Sequence, residues 1–149
     1  MFDVLFVDIV LWVDLPIENV NPITRGIVMS TQGKVDYIEL PSRDLKATKS
    51  FFSDTFGWSF QDYGDTYAAF SGAGMDGGFF ASDQTAAVET GTALVILYSP
   101  DLEQSLQKVK EAGGTISKEI FSFPGGRRFH FKEPGGSELA IWSDKGLEE

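Results

Sequence analysis

Few side chains in this sequence could do acid–base or metal chemistry at neutral pH. The 149 residues include one histidine, His130, and no cysteine. Only an imidazole titrates unperturbed near neutrality, so His130 is the one general base or proton donor of that kind. A disulfide, a thiolate nucleophile, Cys-ligated zinc and an iron–sulfur cluster are excluded. One histidine also cannot build a His-rich metal site or a two-His iron triad from a single chain, and without known neighbours it does not make a Ser-His-Asp constellation. The glycine pairs Gly77-Gly78, Gly125-Gly126 and Gly135-Gly136 match no phosphate loop, because none stands between a strand and a helix at the required spacing. They read as turns, or as points where backbone passes close to a neighbour.

Charge narrows the field further. Twelve basic residues stand against 22 acidic ones, a net charge of -10. Such a field repels phosphate backbones and anionic lipid, so neither nucleic acid nor a membrane surface is expected as a partner. At 42% hydrophobic and 13% aromatic, the chain can bury the core of one ordinary domain. The apolar run from Val4 to Val13 is interrupted by Asp8 and is too short to span a bilayer. Nothing basic precedes Arg25, so the run does not read as a signal peptide, and a cytoplasmic location is expected. Two readings of the segment before Met29 stand side by side. It is extra translated sequence upstream of the biological start, or it is a genuine N-terminal strand or arm, which its Val, Ile and Trp content allows.

The elements that must position any site come from an internal repeat. Tyr37–Trp58 aligns with Leu94–Thr115 at an offset of 57 residues, which places Leu40 on Leu97, Asp44 on Asp101, Leu45 on Leu102 and Gly57 on Gly114. Each copy reads as a strand, a Ser/Pro/Asp helix start, about three turns of helix and a glycine stop. Asp101 and Gln104 resemble a capping box. Gly57 and Gly114 suit the left-handed position beyond a helix end. Leu102, Leu106 and Val109 form one apolar helical face, matched by Leu45, Phe52 and Phe56 in the first copy. Phe51, Trp58 and Phe79 are assigned to the core as well. Three short strand patterns follow each helix: 58–63, 66–71 and 75–82, then 115–121, 127–132 and 137–143. The expected organisation is a leader over 1–33, a domain over 34–145 and a tail over 146–149. Within the domain, modules 34–82 and 92–145 are joined by a small, polar linker, 83–91. The class is α+β, with two βαβββ modules. Neither sheet can bury its inner face alone, so the modules must pair within the chain or across a dimer.

The front motif IELPSRDLKATKSFFSDTFGW and the back motif FKEPGGSELAIW (Phe131–Trp142) resemble the vicinal oxygen chelate superfamily. This group includes glyoxalase I, bleomycin-resistance proteins, fosfomycin-resistance enzymes and extradiol dioxygenases. In the back motif Glu133 and Ser137 replace the family's usual aspartate and asparagine. The resemblance covers roughly Val35 to Ser143 and implies a half-open barrel, or cup, between the modules. It also implies metal ligands on the first and last strands of each module. Those positions hold Tyr37, Leu94, Ala140 and the Gly77-Gly78-Phe79 stretch. Leucine, alanine and glycine offer no side-chain donor, and tyrosine is a rare ligand. The metal-centred chemistry of the family therefore lacks its usual ligands here, and no cofactor is expected, although a divalent ion on atypical oxygens stays open.

Strand alternation then proposes what lines the cup. If Tyr37 points inward, so does Glu39; if Ala140 does, so do Glu138 and Trp142. The resemblance adds His130 and Arg128 from the seventh strand. The expected pocket holds aromatic walls (Tyr37, Trp142), two carboxylates (Glu39, Glu138), Arg128 and His130, a composition suited to a small-molecule ligand. Each residue also has a plainer reading. His130 could be a hydrogen-bonded strand histidine, Arg128 could pair with Glu138 or Glu39, and Tyr37 and Trp142 could be core aromatics. His130 and Glu39 are the best catalytic candidates. The first functional reading is a glyoxalase- or bleomycin-resistance-like homodimer that binds a small organic molecule without metal. The alternative is a glyoxalase-like lyase or isomerase with Mg, Mn, Ni or Zn held by Glu39, Glu138 and Tyr37. A third is a plugged cup that works through protein contacts.

Overall fold

The computed structural model describes residues 30–146. The chain divides into two units, Met1–Lys34 and Val35–Glu149. The two readings of the segment before Met29 lie outside the described residues, as does the tail beyond Gly146. Among the described residues, no helix is long and apolar enough to cross a membrane.

The second unit holds the repeat. Its first copy is β1 (Tyr37–Ser42), α1 (Leu45–Phe56), β2 (Ser59–Asp62), β3 (Tyr67–Ser71) and β4 (Asp76–Ala81). Its second is β5 (Val95–Tyr98), α2 (Leu102–Glu111), β6 (Thr115–Phe123), β7 (Gly126–Lys132) and β8 (Glu138–Ser143). The copies form four-stranded sheets of matching order, β1-β4-β3-β2 and β5-β8-β7-β6. In each, the first strand runs parallel to the last, and the other pairs are antiparallel. The fold is α+β, with two βαβββ modules, as the repeat predicts.

Local chemistry sets the helix ends. Asp44 and Asp101 each accept a hydrogen bond at 3.0 Å, from the amides of Ala47 and Gln104. These caps satisfy one of the orphan donors of each first turn. Only half of the expected capping box forms at Asp101, whose own amide donates to Ser99 Oγ rather than to Gln104. Gly57 takes the left-handed conformation, φ 72°. At the second helix end that conformation falls on Gly113, φ 96°, and not on Gly114 as the alignment suggests. Gly114 is required for a different reason: a Cβ there would lie 2.7 Å from Val109 Cγ1 and 3.1 Å from the Phe51 ring.

One core serves both modules. The helix-facing sides of both sheets and both helices contribute to a single apolar cluster. Within it Phe52 stacks on Trp58 at 4.4 Å. The Phe51 ring of α1 meets Phe131 of β7 at 5.8 Å and so ties one module to the other. A polar joint does the same. Glu133, in the turn after β7, is 2% exposed. It accepts from Thr48 Oγ1 of α1 and the Gly135 amide, both at 2.7 Å, and from the Ser137 amide at 3.2 Å. Burial pushes its carboxyl above the usual range, although the hydrogen bonds from Thr48, Gly135 and Ser137 oppose that. The backbone must run close here, since a Cβ on Gly135 would sit 2.3 Å from both Ser42 Oγ and Thr48 Oγ1.

The stretch 83–91, read from composition as a linker, is also built in. Ala86 is buried. Its carbonyl accepts from the Glu138 amide at 2.7 Å, and its amide donates to Ser137 Oγ at 3.1 Å. Ser137 Oγ in turn donates to the Pro41 carbonyl of β1 at 2.6 Å.

Candidate functional site

Each sheet presents a second face, turned away from the helices, and the candidate residues lie there. On the β5–β8 sheet, cross-strand register sets Arg128 opposite Trp142, His130 opposite Ala140 and Lys132 opposite Glu138. Paired residues share a face. The His130 ring is held by Glu138, with Nδ1 3.1 Å from Oε1. Glu138 also accepts from the Val88 amide at 3.0 Å and from Ser117 Oγ at 3.2 Å. Burial alone would raise this carboxyl; the Val88, His130 and Ser117 contacts outweigh it and hold it below the usual carboxylate range. An ionised carboxylate only accepts, so Nδ1 carries the proton, and Nε2 is the free end of the ring. That Nε2 atom is buried and has no hydrogen-bond partner. Nor does Nε of Arg128, two residues earlier on the same face.

Aromatic rings surround these groups. The Arg128 guanidinium lies over Phe121 and Phe123, at 5.2 and 5.6 Å from the ring centres. Lys118 Nζ lies 4.2 Å from the Phe121 ring. Trp142 packs on Tyr98 at 5.4 Å and on Phe123 at 6.4 Å. The expected ion pair of Arg128 with Glu138 or Glu39 does not form. Arg128 rests on rings instead, and it is Arg127, on the opposite face of β7, that pairs with a carboxylate, that of Glu103.

On the β1–β4 sheet the outward face carries a hydroxyl chain. Tyr37 Oη lies 2.6 Å from Tyr67 Oη, which donates to Glu39 Oε1 at 3.0 Å. Burial raises both phenols above their ordinary value, and the hydrogen-bonded neighbours Tyr37 and Glu39 raise that of Tyr67 further. The Tyr67 ring lies against Gly78 of β4, where a Cβ would come within 2.0 Å of the phenol oxygen. Beside this chain a cavity of about 280 Å³ is lined by Glu39, Pro41, Phe80, Thr85 and Thr92 among others.

The expected residues thus form two groups, one per sheet. Among the described residues, no hydrogen bond, ion pair or ring contact joins Tyr37 and Glu39 to Arg128, His130, Glu138 or Trp142. The shared core turns both helix-facing sides inward, so one chain supplies two half-cups.

The residues do not fit a divalent ion. Of the positions the resemblance assigns to ligands, Leu94 precedes β5, Ala140 faces His130, Gly78 lies under Tyr67, and the Tyr37 hydroxyl is bound to Tyr67. Among the described residues, no three His, Asp or Glu side chains gather where they could hold a metal. Lys118, Phe121, Phe123, Ser117 and Tyr67 were not read from the sequence as site residues. The first four sit on β6, where two register shifts interrupt the alternation. Tyr67 joins the site only through the β1-β4-β3 order.

Comparison with known proteins bears on the same unit. Residues 34–141 match the model of the glyoxalase/bleomycin resistance protein/dioxygenase superfamily. No curated protein matches the chain. Among solved structures, a glyoxalase-related enzyme from Fulvimarina pelagi is similar at TM-score 0.59 and 18% identity, over 74% of this chain and 88% of that one. A genomically encoded fosfomycin resistance protein from Listeria monocytogenes is similar at TM-score 0.62 and 17% identity, over 80% and 96%. A lactoylglutathione lyase from Agrobacterium tumefaciens is similar at TM-score 0.57 and 14% identity, over 76% and 96%. At these identities the likeness speaks for the fold alone.

Proposed function

The chain belongs to the glyoxalase/bleomycin resistance protein/dioxygenase superfamily, and from that premise we propose that it binds a small organic molecule in its cup without the divalent ion of its catalytic relatives. The observation that carries this is His130: a buried imidazole oriented by Glu138, its Nε2 unpartnered, facing out of a sheet lined with aromatic rings. An unsatisfied buried polar atom costs stability unless something answers it. Small-molecule sites have this composition, apolar walls with a few convergent polar groups. The lyase reading needs Glu39, Glu138 and Tyr37 on one ion. Glu138 is held by Val88, Ser117 and His130, and Tyr37 and Glu39 are tied to Tyr67 on the other sheet.

A thermal-shift screen of small aromatic and polar compounds tests this. Ligands at about a hundred times their dissociation constant stabilise by about 2.7 kcal/mol, a rise in Tm of several degrees. Trp142→Ala should weaken binding by roughly 1 kcal/mol. Adding Mg, Mn, Ni or Zn should leave Tm unchanged. A screen without hits sinks the binding reading, and a shift with a divalent ion returns the lyase.

The half-cups also support a homodimer. Ile96 and Tyr98 on one outward face are 43% and 53% exposed, and Phe80 on the other is 37% exposed. Such apolar surface on a sheet face calls for a cover, and a second copy supplies the complementary half. Light scattering should give twice the chain mass of 16.4 kDa, and Tyr98→Asp should shift the population toward monomer. A monomer at every concentration removes this part of the proposal.

A further inference from the structure

We infer that the molecule bound on the β5–β8 sheet carries an anionic head of the carboxylate, phosphate or sulfonate class on a flat apolar body. This rests on the cup-binding reading and specifies its ligand. Three observations converge on one sheet face. The Arg128 guanidinium lies over Phe121 and Phe123, its Nε buried and without a partner. Rings satisfy none of its N–H donors, and a planar fork of donors matches an oxyanion in a bidentate grip. Lys118 adds a second cation over Phe121, in register with His130.

The third observation concerns the carboxylate on this face. Glu138 accepts from the Val88 amide, Ser117 and His130. Its charge is absorbed locally, and it makes no ion pair with Arg128 or Lys118. Among the described residues the two cations pair with no carboxylate, which leaves them to an external anion. Trp142, flanked by Tyr98 and Phe123, supplies the flat wall. The net charge of -10 makes this local reversal of sign more selective. Anions are repelled at long range, and only those that also bury an apolar body gain enough to stay.

Three matched probes test the assignment: 2-naphthoate, 2-naphthamide and 2-naphthylmethylammonium. His130 is the one histidine in the chain, so its ring nitrogens give the one imidazole signal in an NMR spectrum of the full-length protein labelled with nitrogen-15. Naphthoate should move the Nε2 resonance and bind about tenfold or more tightly than the amide, the discrimination expected of one charge-assisted contact. The ammonium should bind least. Arg128→Gln should abolish the preference for naphthoate over naphthamide while the amide still binds. The probe series on the unmodified protein stands even if that variant does not fold. Equal binding of naphthoate and naphthamide, or tighter binding of the ammonium, overturns the anion assignment while leaving a small-molecule cup in place. An unchanged preference in Arg128→Gln overturns it too. Failure of all three probes overturns the anion assignment, and with an empty library screen it overturns both readings.

Discussion

Glu133→Ala should destabilise the folded chain by about 3 kcal/mol, because it strips the acceptor from buried donors on both modules at once. The Thr48 hydroxyl and the Gly135 and Ser137 amides all point at that carboxylate. Each buried donor left without a partner costs about 1–3 kcal/mol, partly offset because the buried charge goes with it. A urea titration followed by tryptophan fluorescence measures the loss directly. A companion variant, Glu133→Gln, separates charge from shape. The folded pKa of Glu133 lies above its unfolded value. Its contribution to stability is therefore largest below the unfolded pKa, about 4.3, and is lost as pH rises through the folded value. Glu138, with a lowered pKa, runs the other way: its contribution is present above the unfolded pKa and lost as pH falls through the folded one. Subtracting the Glu133→Gln profile from that of the unmodified chain isolates the first term. The difference should decline from acid toward neutral pH, and a flat difference contradicts the assignment.

Phe52→Ala should cost roughly 3–5 kcal/mol, the range for a fully buried aromatic removed from a packed core. Phe52 has no exposed surface. It lies near-parallel to Trp58, with 14° between the planes, and touches Phe79 at 5.2 Å and Phe51 at 5.1 Å. Against a total stability of about 5–15 kcal/mol, that loss threatens the fold. Phe52→Leu, which keeps most of the volume, should cost well under half as much. The urea midpoint and the tryptophan emission report both, and a loss below about 1 kcal/mol for the alanine variant would show that the stack does not anchor the core of the first module.

Much of the fold was legible because both copies use the same signals. Asp44 and Asp101 cap their helices where the alignment places them. Gly57 has its left-handed turn, and the strand patterns fall within a residue or two of the strands. Gly113 took the turn expected of Gly114, and Gly114 is needed instead because Val109 and Phe51 leave no room there for a side chain. At the site, period-two alternation put Tyr37 with Glu39, and Glu138 with Trp142, on common faces. No face was assigned on β6, where shifts between Ile116 and Phe121 change the parity, and so Lys118 and Phe121 went unread. Nor could alternation reveal that both helices share one core. That depends on how Phe51 meets Phe131, a contact between residues 80 positions apart. Glu133 was visible only as a departure from a familiar aspartate, and its depth is a property of the assembled turn.

The bond from Thr48 to Glu133 spans 85 positions of sequence, which sets an order on events during synthesis. The first module leaves the ribosome with its α1 hydroxyl and the inward side of Phe51 waiting for partners that arrive only some 80 residues later. Contacts this remote slow folding, and half-finished chains bearing uncovered rings are prone to clump. For this protein the emerging chain must stay shielded until β7 and the turn after it are made, so a truncation just before β7 should be a client for chaperones rather than a small folded domain.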